Sequence, residues 1–108
     1  MSFHANNHLS LWKTKLPELL DYFDLGSNIL TQNFPMLSGG EKQRLAIIIA
    51  ILLERKIYLL DEPTSALDTE MKQKVIQYFS ARKDTTLLVI SHDTAWQQAN
   101  LRIINLAK

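Results

Sequence analysis

Residues 57–63 read Ile57-Tyr58-Leu59-Leu60-Asp61-Glu62-Pro63, a short apolar run closed by two adjacent acids and a proline. That is the pattern of a buried parallel strand ending in a turn. Thr86–Ile90 repeats it and ends at Ser91 and His92. Between the two, residues 69–82 place Met71, Val75, Tyr78 and Phe79 on one helical face. A short helix is expected near Thr94–Ala99 and a third strand over Arg102–Leu106. Strand, helix, strand, helix, strand is the grammar of an α/β fold around a parallel sheet. In such sheets ligands sit beyond the carboxyl ends of the strands. Asp61, Glu62 and His92 all fall there.

Upstream, the strongest element starts at Ser38. Ser38 with Glu41 three residues on forms a Ser-x-x-Glu capping box. The Ile-rich run Leu45–Leu53 could be a strand by composition alone. The cap before it, and the length from Ser38 to about Glu54, predict a helix instead. This helix is apolar almost all round after its first turns, so burial is expected. Pro17 followed by Glu18, Leu19, Leu20, Tyr22 and Phe23 predicts a short helix with Pro in its first turn, stopped by Gly26. Residues 27–36 read as a helical turn and a loop, Pro35 disfavouring helix at Phe34. Residues 1–8 are polar and aperiodic and are expected to be loosely held.

Composition narrows the class of protein. The 108 residues are 46% hydrophobic and 21% charged with a formal net charge of +1, which fits one globular domain and argues against disorder. No cluster of Lys and Arg marks a nucleic-acid footprint, and no nucleic-acid partner is expected. With no cysteine, a disulfide scaffold and a thiolate metal site are excluded. Residues 1–11 lack the apolar core of a signal peptide. The longest apolar run, Leu45–Leu53, falls far short of the ~20 residues that span a bilayer. A soluble chain is expected, its membrane connection made through a partner.

Each candidate chemical group has an ordinary structural explanation when taken alone. The start Leu37-Ser38-Gly39-Gly40-Glu41 offers bare backbone N–H groups and a partial positive charge, which bind anions such as phosphate. A well-capped helix needs no ligand, however. Asp61 can hold Mg²⁺, directly or through water, and Glu62 beside it can orient or deprotonate an attacking water. An Asp-Glu-Pro turn can also be plain solvated chain. His92 can hydrogen-bond a transferring phosphate oxygen, or be a surface histidine. His4 and His8 have no such surroundings, and Trp12 and Trp96 read as packing residues.

Order and spacing separate these readings. Leu37-Ser38-Gly39-Gly40-Glu41-Lys42-Gln43-Arg44 resembles the signature motif of ABC ATPases, and Ile57–Pro63 resembles the Walker B strand with its following glutamate. Ser65-Ala66-Leu67-Asp68 is similar to the D-loop and Ile90-Ser91-His92-Asp93 to the switch-histidine loop. The four occur in family order from about residue 18 onward. The resemblance implies ATP and Mg²⁺ as cofactors. It makes Asp61 the metal ligand, Glu62 the general base, and His92 a γ-phosphate contact. Ser38, Gly39, Gly40 and Glu41 would form the segment touching ATP held by another subunit, and Asp68 would act across that interface. The implied partners are a second ABC ATPase domain and a transmembrane permease, the chain being cytoplasmic and peripheral to the inner or plasma membrane.

A phosphate-binding loop needs Gly-x-x-x-x-Gly-Lys followed by Ser or Thr. The glycines here are Gly26, Gly39 and Gly40, and no pair has that spacing. The resemblance therefore implies a partial P-loop-NTPase-like α/β parallel sheet without its Walker A strand. Residues 1–108 would be the C-terminal half of one ABC ATPase domain, about 9–54 carrying the helical signature region and 55–108 the part from Walker B to the switch histidine. Alone, such a chain is expected to be inactive and to need a half bearing the phosphate loop. The rival readings are a soluble ABC ATPase of DNA repair or translation, and a non-catalytic module regulating an intact ABC ATPase. Residues 1–36 show no heptads of the kind that precede the signature in the repair group.

Overall fold

The computed structural model describes residues 2–82 and 84–98, with side chains placed from Trp12 to Trp96 apart from residue 83. The chain divides after Leu53 into two compact units.

The first unit holds two helices, α1 over Ser2–Tyr22 and α2 over Gly39–Leu52. Helix α1 begins far earlier than Pro17, which lies inside it. The polar stretch expected to be loose is its first turns. Proline removes one backbone donor and crowds the preceding turn, yet Leu19, Leu20 and Phe23 are all buried just beyond it. Packing of that last turn offsets the proline. The stop is not Gly26. Asp24 takes φ 57°, the Leu25 N–H donates to the Leu20 carbonyl at 2.8 Å, and the Asp24 N–H donates to that of Asp21 at 3.1 Å. This is the paired closure of a Schellman motif, with Asp in the place glycine usually takes. The Arg44 guanidinium donates to the Phe23 and Asp24 carbonyls at 2.8 and 3.2 Å, binding that end of α1 to α2.

Two 3₁₀ turns, Ser27–Thr31 and Phe34–Met36, join the helices. Pro35 does not keep Phe34 out of the second, because it occupies the first turn, where no N–H is needed. Helix α2 starts with the reciprocal capping box. The Glu41 N–H donates to Ser38 Oγ at 3.1 Å, and the Ser38 N–H donates to Glu41 Oε1 at 2.9 Å. Ile47, Ile48, Ile51 and Leu52 are buried. The expectation of burial all round fails, since Ile49 and Leu53 are exposed. Trp12, read as packing, also donates its indole N–H to the Leu52 carbonyl at 3.1 Å, satisfying one orphan acceptor at the end of α2.

The second unit is a strand–helix–strand: β1 over Ile57–Asp61, α3 over Thr69–Ser80 and β2 over Thr86–Ile90. The strands pair in parallel from Ile57 with Thr86 to Asp61 with Ile90. Side chains alternate across the sheet, so Tyr58, Leu60, Leu87 and Val89 share one face. Tyr58 stacks edge-on against Phe79 of α3, ring centroids 6.0 Å apart. Helix α3 buries Met71, Val75, Ile76 and Phe79. Tyr78, expected on that face, is only half-buried and takes the Arg82 guanidinium over its ring at 5.9 Å. Strand β1 is not buried on both faces as expected, Ile57 and Leu59 being 66% and 67% exposed. A parallel sheet buries both faces when helices cover both, and among the described residues of this unit α3 covers one. A 3₁₀ turn over Thr94–Gln98 follows β2. The expected strand Arg102–Leu106 lies outside the described residues.

Candidate functional site

Parallel register places the carboxyl ends of β1 and β2 side by side, Asp61 against Ile90. The Glu62 N–H adds one more rung, donating to the Ile90 carbonyl at 2.7 Å. Glu62 then leaves the sheet with φ 46°. A side chain in this left-handed region costs ~1–2 kcal/mol, and the neighbouring rung and the Asp-Glu-Pro turn hold it there.

That strained residue carries the central contact. Glu62 Oε1 accepts the His92 backbone N–H at 3.1 Å and lies 2.5 Å from His92 Nδ1. A carboxylate only accepts, so the proton of a neutral His92 sits on Nδ1, and Nε2 keeps its lone pair for another partner. The His92 side chain is 64% exposed and that of Glu62 33%. Asp61, also exposed, is the last residue of β1. Three of the residues singled out in the sequence thus occupy one strand-end corner. A carboxylate and an imidazole in such contact can orient a water, take its proton and hydrogen-bond an anion.

Among the described residues no three His, Asp or Glu side chains gather as a metal cage. An exposed Asp61 beside Glu62 instead suits Mg²⁺, which keeps several waters and is held by one or two carboxylates together with phosphates.

Ser38, Gly39, Gly40 and Glu41 form a second group at the start of α2. Its capping box occupies the Glu41 N–H and the Ser38 N–H, which leaves the Gly39 and Gly40 donors without intrahelical partners. No glycine of the chain has positive φ, so the backbone does not demand glycine at either position. Glycine in a helix costs ~0.5–1 kcal/mol relative to alanine. What it provides here is a helix start bare of side chains. Asp68 caps α3, its Oδ1 accepting the Met71 N–H at 2.8 Å.

Residues 5–65 match the family model described as ABC transporter. The chain belongs to the ABC transporter family. It is 40% identical over 81 residues to the molybdate/tungstate import ATP-binding protein WtpC of Methanocaldococcus jannaschii, covering 75% of this chain and 27% of that protein. It is 46% identical over 78 residues to the ATP-dependent lipid A-core flippase of Pseudoalteromonas translucida, covering 71% and 12%. The lactococcin-G-processing and transport ATP-binding protein LagD of Lactococcus lactis matches at 39% over 79 residues, covering 73% and 11%. The chain spans about a quarter or less of the length of these relatives. Its fold agrees with part of an ABC ATPase domain, a small α/β structure with parallel strands and helices. No helix among the described residues is long and apolar enough to cross a membrane.

Four residues of this corner of the ABC fold were not legible as site residues. Trp96 and Thr64, both almost wholly buried, are joined by an indole N–H donated to Thr64 Oγ1 at 3.1 Å. Asp93 accepts the Ala95 N–H at 3.0 Å, and its other oxygen lies 2.6 Å from Lys72 Nζ. The Lys72 ammonium, then the Ala95 N–H, hold the Asp93 carboxyl below the usual carboxylate range. The available signals were a tryptophan four residues after His92, since a buried indole N–H usually finds an acceptor, and an Asp placed to cap the turn after it.

Proposed function

We propose that this chain is part of the ATP-binding subunit of a transporter, that it contributes base and metal ligand to one ATP-hydrolysing site, and that it lends its signature to the ATP site of a second domain, other segments completing both. The observation that carries this reading is the contact of Glu62 with His92 at adjoining strand ends, with Asp61 next to it. Bound Mg²⁺-ATP would supply the phosphoanhydride to be broken and the cation that neutralises its charge. Asp61 would hold the cation through water. Glu62 would orient the attacking water and take its proton. His92, anchored through Nδ1, would present Nε2 to a γ-phosphate oxygen. Ser38, Gly39, Gly40 and Glu41 would offer the start of α2 to ATP held by a second ATPase domain, and Asp68 would act across that interface.

The relatives are named for molybdate/tungstate import, a lipid A-core flippase, and lactococcin-G processing and transport. Their cargoes differ, while ATP binding or ATP dependence is common to their names. That supports transport over DNA repair or translation, with a permease as membrane partner and a place at the cytoplasmic face.

The test supplies a phosphate-loop segment to this chain by fusion and separates the two acids. Glu62→Gln keeps the reach of the side chain and loses its basicity. It is expected to leave Mg²⁺-ATP binding intact while hydrolysis falls ~10²–10⁴-fold, the usual contribution of a general base. Asp61→Asn is expected to weaken Mg²⁺-dependent nucleotide binding itself. Near-normal hydrolysis by the Glu62→Gln fusion would remove Glu62 from the role of base.

A further inference from the structure

The contact between Glu62 and His92 spans two segments that leave the sheet separately, and both side chains are partly in water. The Glu62 N–H rung to the Ile90 carbonyl fixes where Glu62 leaves the sheet, but the exposed carboxylate–imidazole contact does not by itself fix the loops beyond it, because exposed ion pairs and their hydrogen bonds are weak. The fixing point lies two residues beyond Glu62 and four beyond His92. There Trp96 and Thr64 are 0% and 1% exposed, and the indole N–H donates to Thr64 Oγ1 at 3.1 Å. Around it the His92 segment is braced by short-range bonds. The Asp93 N–H donates to Ser91 Oγ at 2.9 Å, and Asp93 Oδ1 accepts the Ala95 N–H at 3.0 Å. The turn is therefore stiff in itself and tied to the Glu62 side at a buried point beyond the sheet end. A buried hydrogen bond of this sort is costly to leave half-made, so it specifies one relative placement of the two segments.

We propose that Trp96 is a positioning residue, which through its hydrogen bond to Thr64 sets the distance between His92 and Glu62. It touches neither nucleotide nor reacting water and acts only through that pair. The kinetic consequence rests on the proposed ATPase reading, whereas the structural consequence does not.

The experiment therefore has two arms. In the first, the 108-residue chain is labelled with ¹⁵N, and the His92 amide is followed by chemical shift and hydrogen exchange. That proton is given to the Glu62 carboxylate at 3.1 Å. The Thr86 amide, bonded to the Lys56 carbonyl at 2.7 Å at the far end of the sheet, serves as the internal reference. Trp96→Phe keeps the buried ring and loses the donor, and Thr64→Val keeps the shape and loses the acceptor. Each is expected to shift the His92 amide upfield and speed its exchange about tenfold, the factor of a typical charge-assisted hydrogen bond, leaving Thr86 unchanged. Thr64→Ser, which restores the hydroxyl, is expected to restore His92. Unmoved His92, or equal loss of protection at Thr86 and His92, would overturn the proposal, the latter reducing Trp96 to a core residue. In the second arm the same variants are placed in the phosphate-loop fusion. There kcat is expected to fall by up to about a hundredfold with KM for ATP unchanged, and a change in KM alone would also overturn it. Absence of hydrolysis in the unmutated fusion would defeat the functional reading, and the first arm would still decide the role of Trp96.

Discussion

Glycine at Gly39 and Gly40 serves no backbone need, since both residues are helical and neither has positive φ. Their use is in what the absent side chains leave open. Replacing glycine by alanine at a compatible site stabilises a protein by ~0.4–1 kcal/mol, largely by restricting the unfolded chain. Gly40→Ala is accordingly expected to raise the urea midpoint of this chain while sharply lowering ATP hydrolysis in the completed domain. A variant that gained stability and kept full hydrolysis would show that the helix start touches no nucleotide. Glu62 presents the reverse case. A residue with a side chain sits at φ 46°, where strain of ~1–3 kcal/mol is typical of functional positions. Such strain leaves no mark in the letters of a sequence. The acids and the histidine could be singled out from their place at strand ends, but the tie between Trp96 and Thr64 could not, because it joins positions 32 apart.

At the scale of elements, boundaries written in short-range chemistry were the ones the sequence disclosed. The Ser38 capping box set the start of α2 against the β-propensity of an isoleucine-rich run, and both of its hydrogen bonds are present. Ser38→Ala is expected to cost ~1 kcal/mol, read as a fall in helical circular dichroism and urea midpoint. An unchanged midpoint would mean that packing alone sets the helix. The bounds of α1 depart from the sequence expectation because tertiary burial overrides a proline and aspartate takes the left-handed closing position usually given to glycine. The ion pair between Lys72 of α3 and Asp93 makes a pH-dependent contribution. Its folded-state carboxyl is lowered, so its stabilisation is complete above the unfolded value of ~3.9 and fades as pH falls through the lower folded value. With both side chains about one quarter exposed, a contribution of ~0.2–1 kcal/mol is expected. Lys72→Met should lower the urea midpoint at pH 7, the difference from the parent chain shrinking as pH falls below about 4. A difference that persisted unchanged at low pH would exclude the ion pair as its source.

For the whole molecule, the two units expose apolar side chains: Ile49 on α2 and Leu53 just after it, Ile57 and Leu59 on β1. The chain covers 27% of WtpC, and the proposal that other segments complete its chemistry is the claim to test. The sequence has no Gly-x-x-x-x-Gly-Lys pattern, the loop whose backbone cradles the β-phosphate in the proposed site. The most direct measurement is steady-state ATP hydrolysis by the purified 108-residue chain, before and after a segment bearing the phosphate loop is supplied in trans. The account predicts no turnover above background for the chain alone. On addition it predicts Mg²⁺-dependent turnover that Glu62→Gln lowers ~10²–10⁴-fold. Mg²⁺-dependent turnover by the 108 residues alone, or restored turnover indifferent to Glu62→Gln, would contradict it.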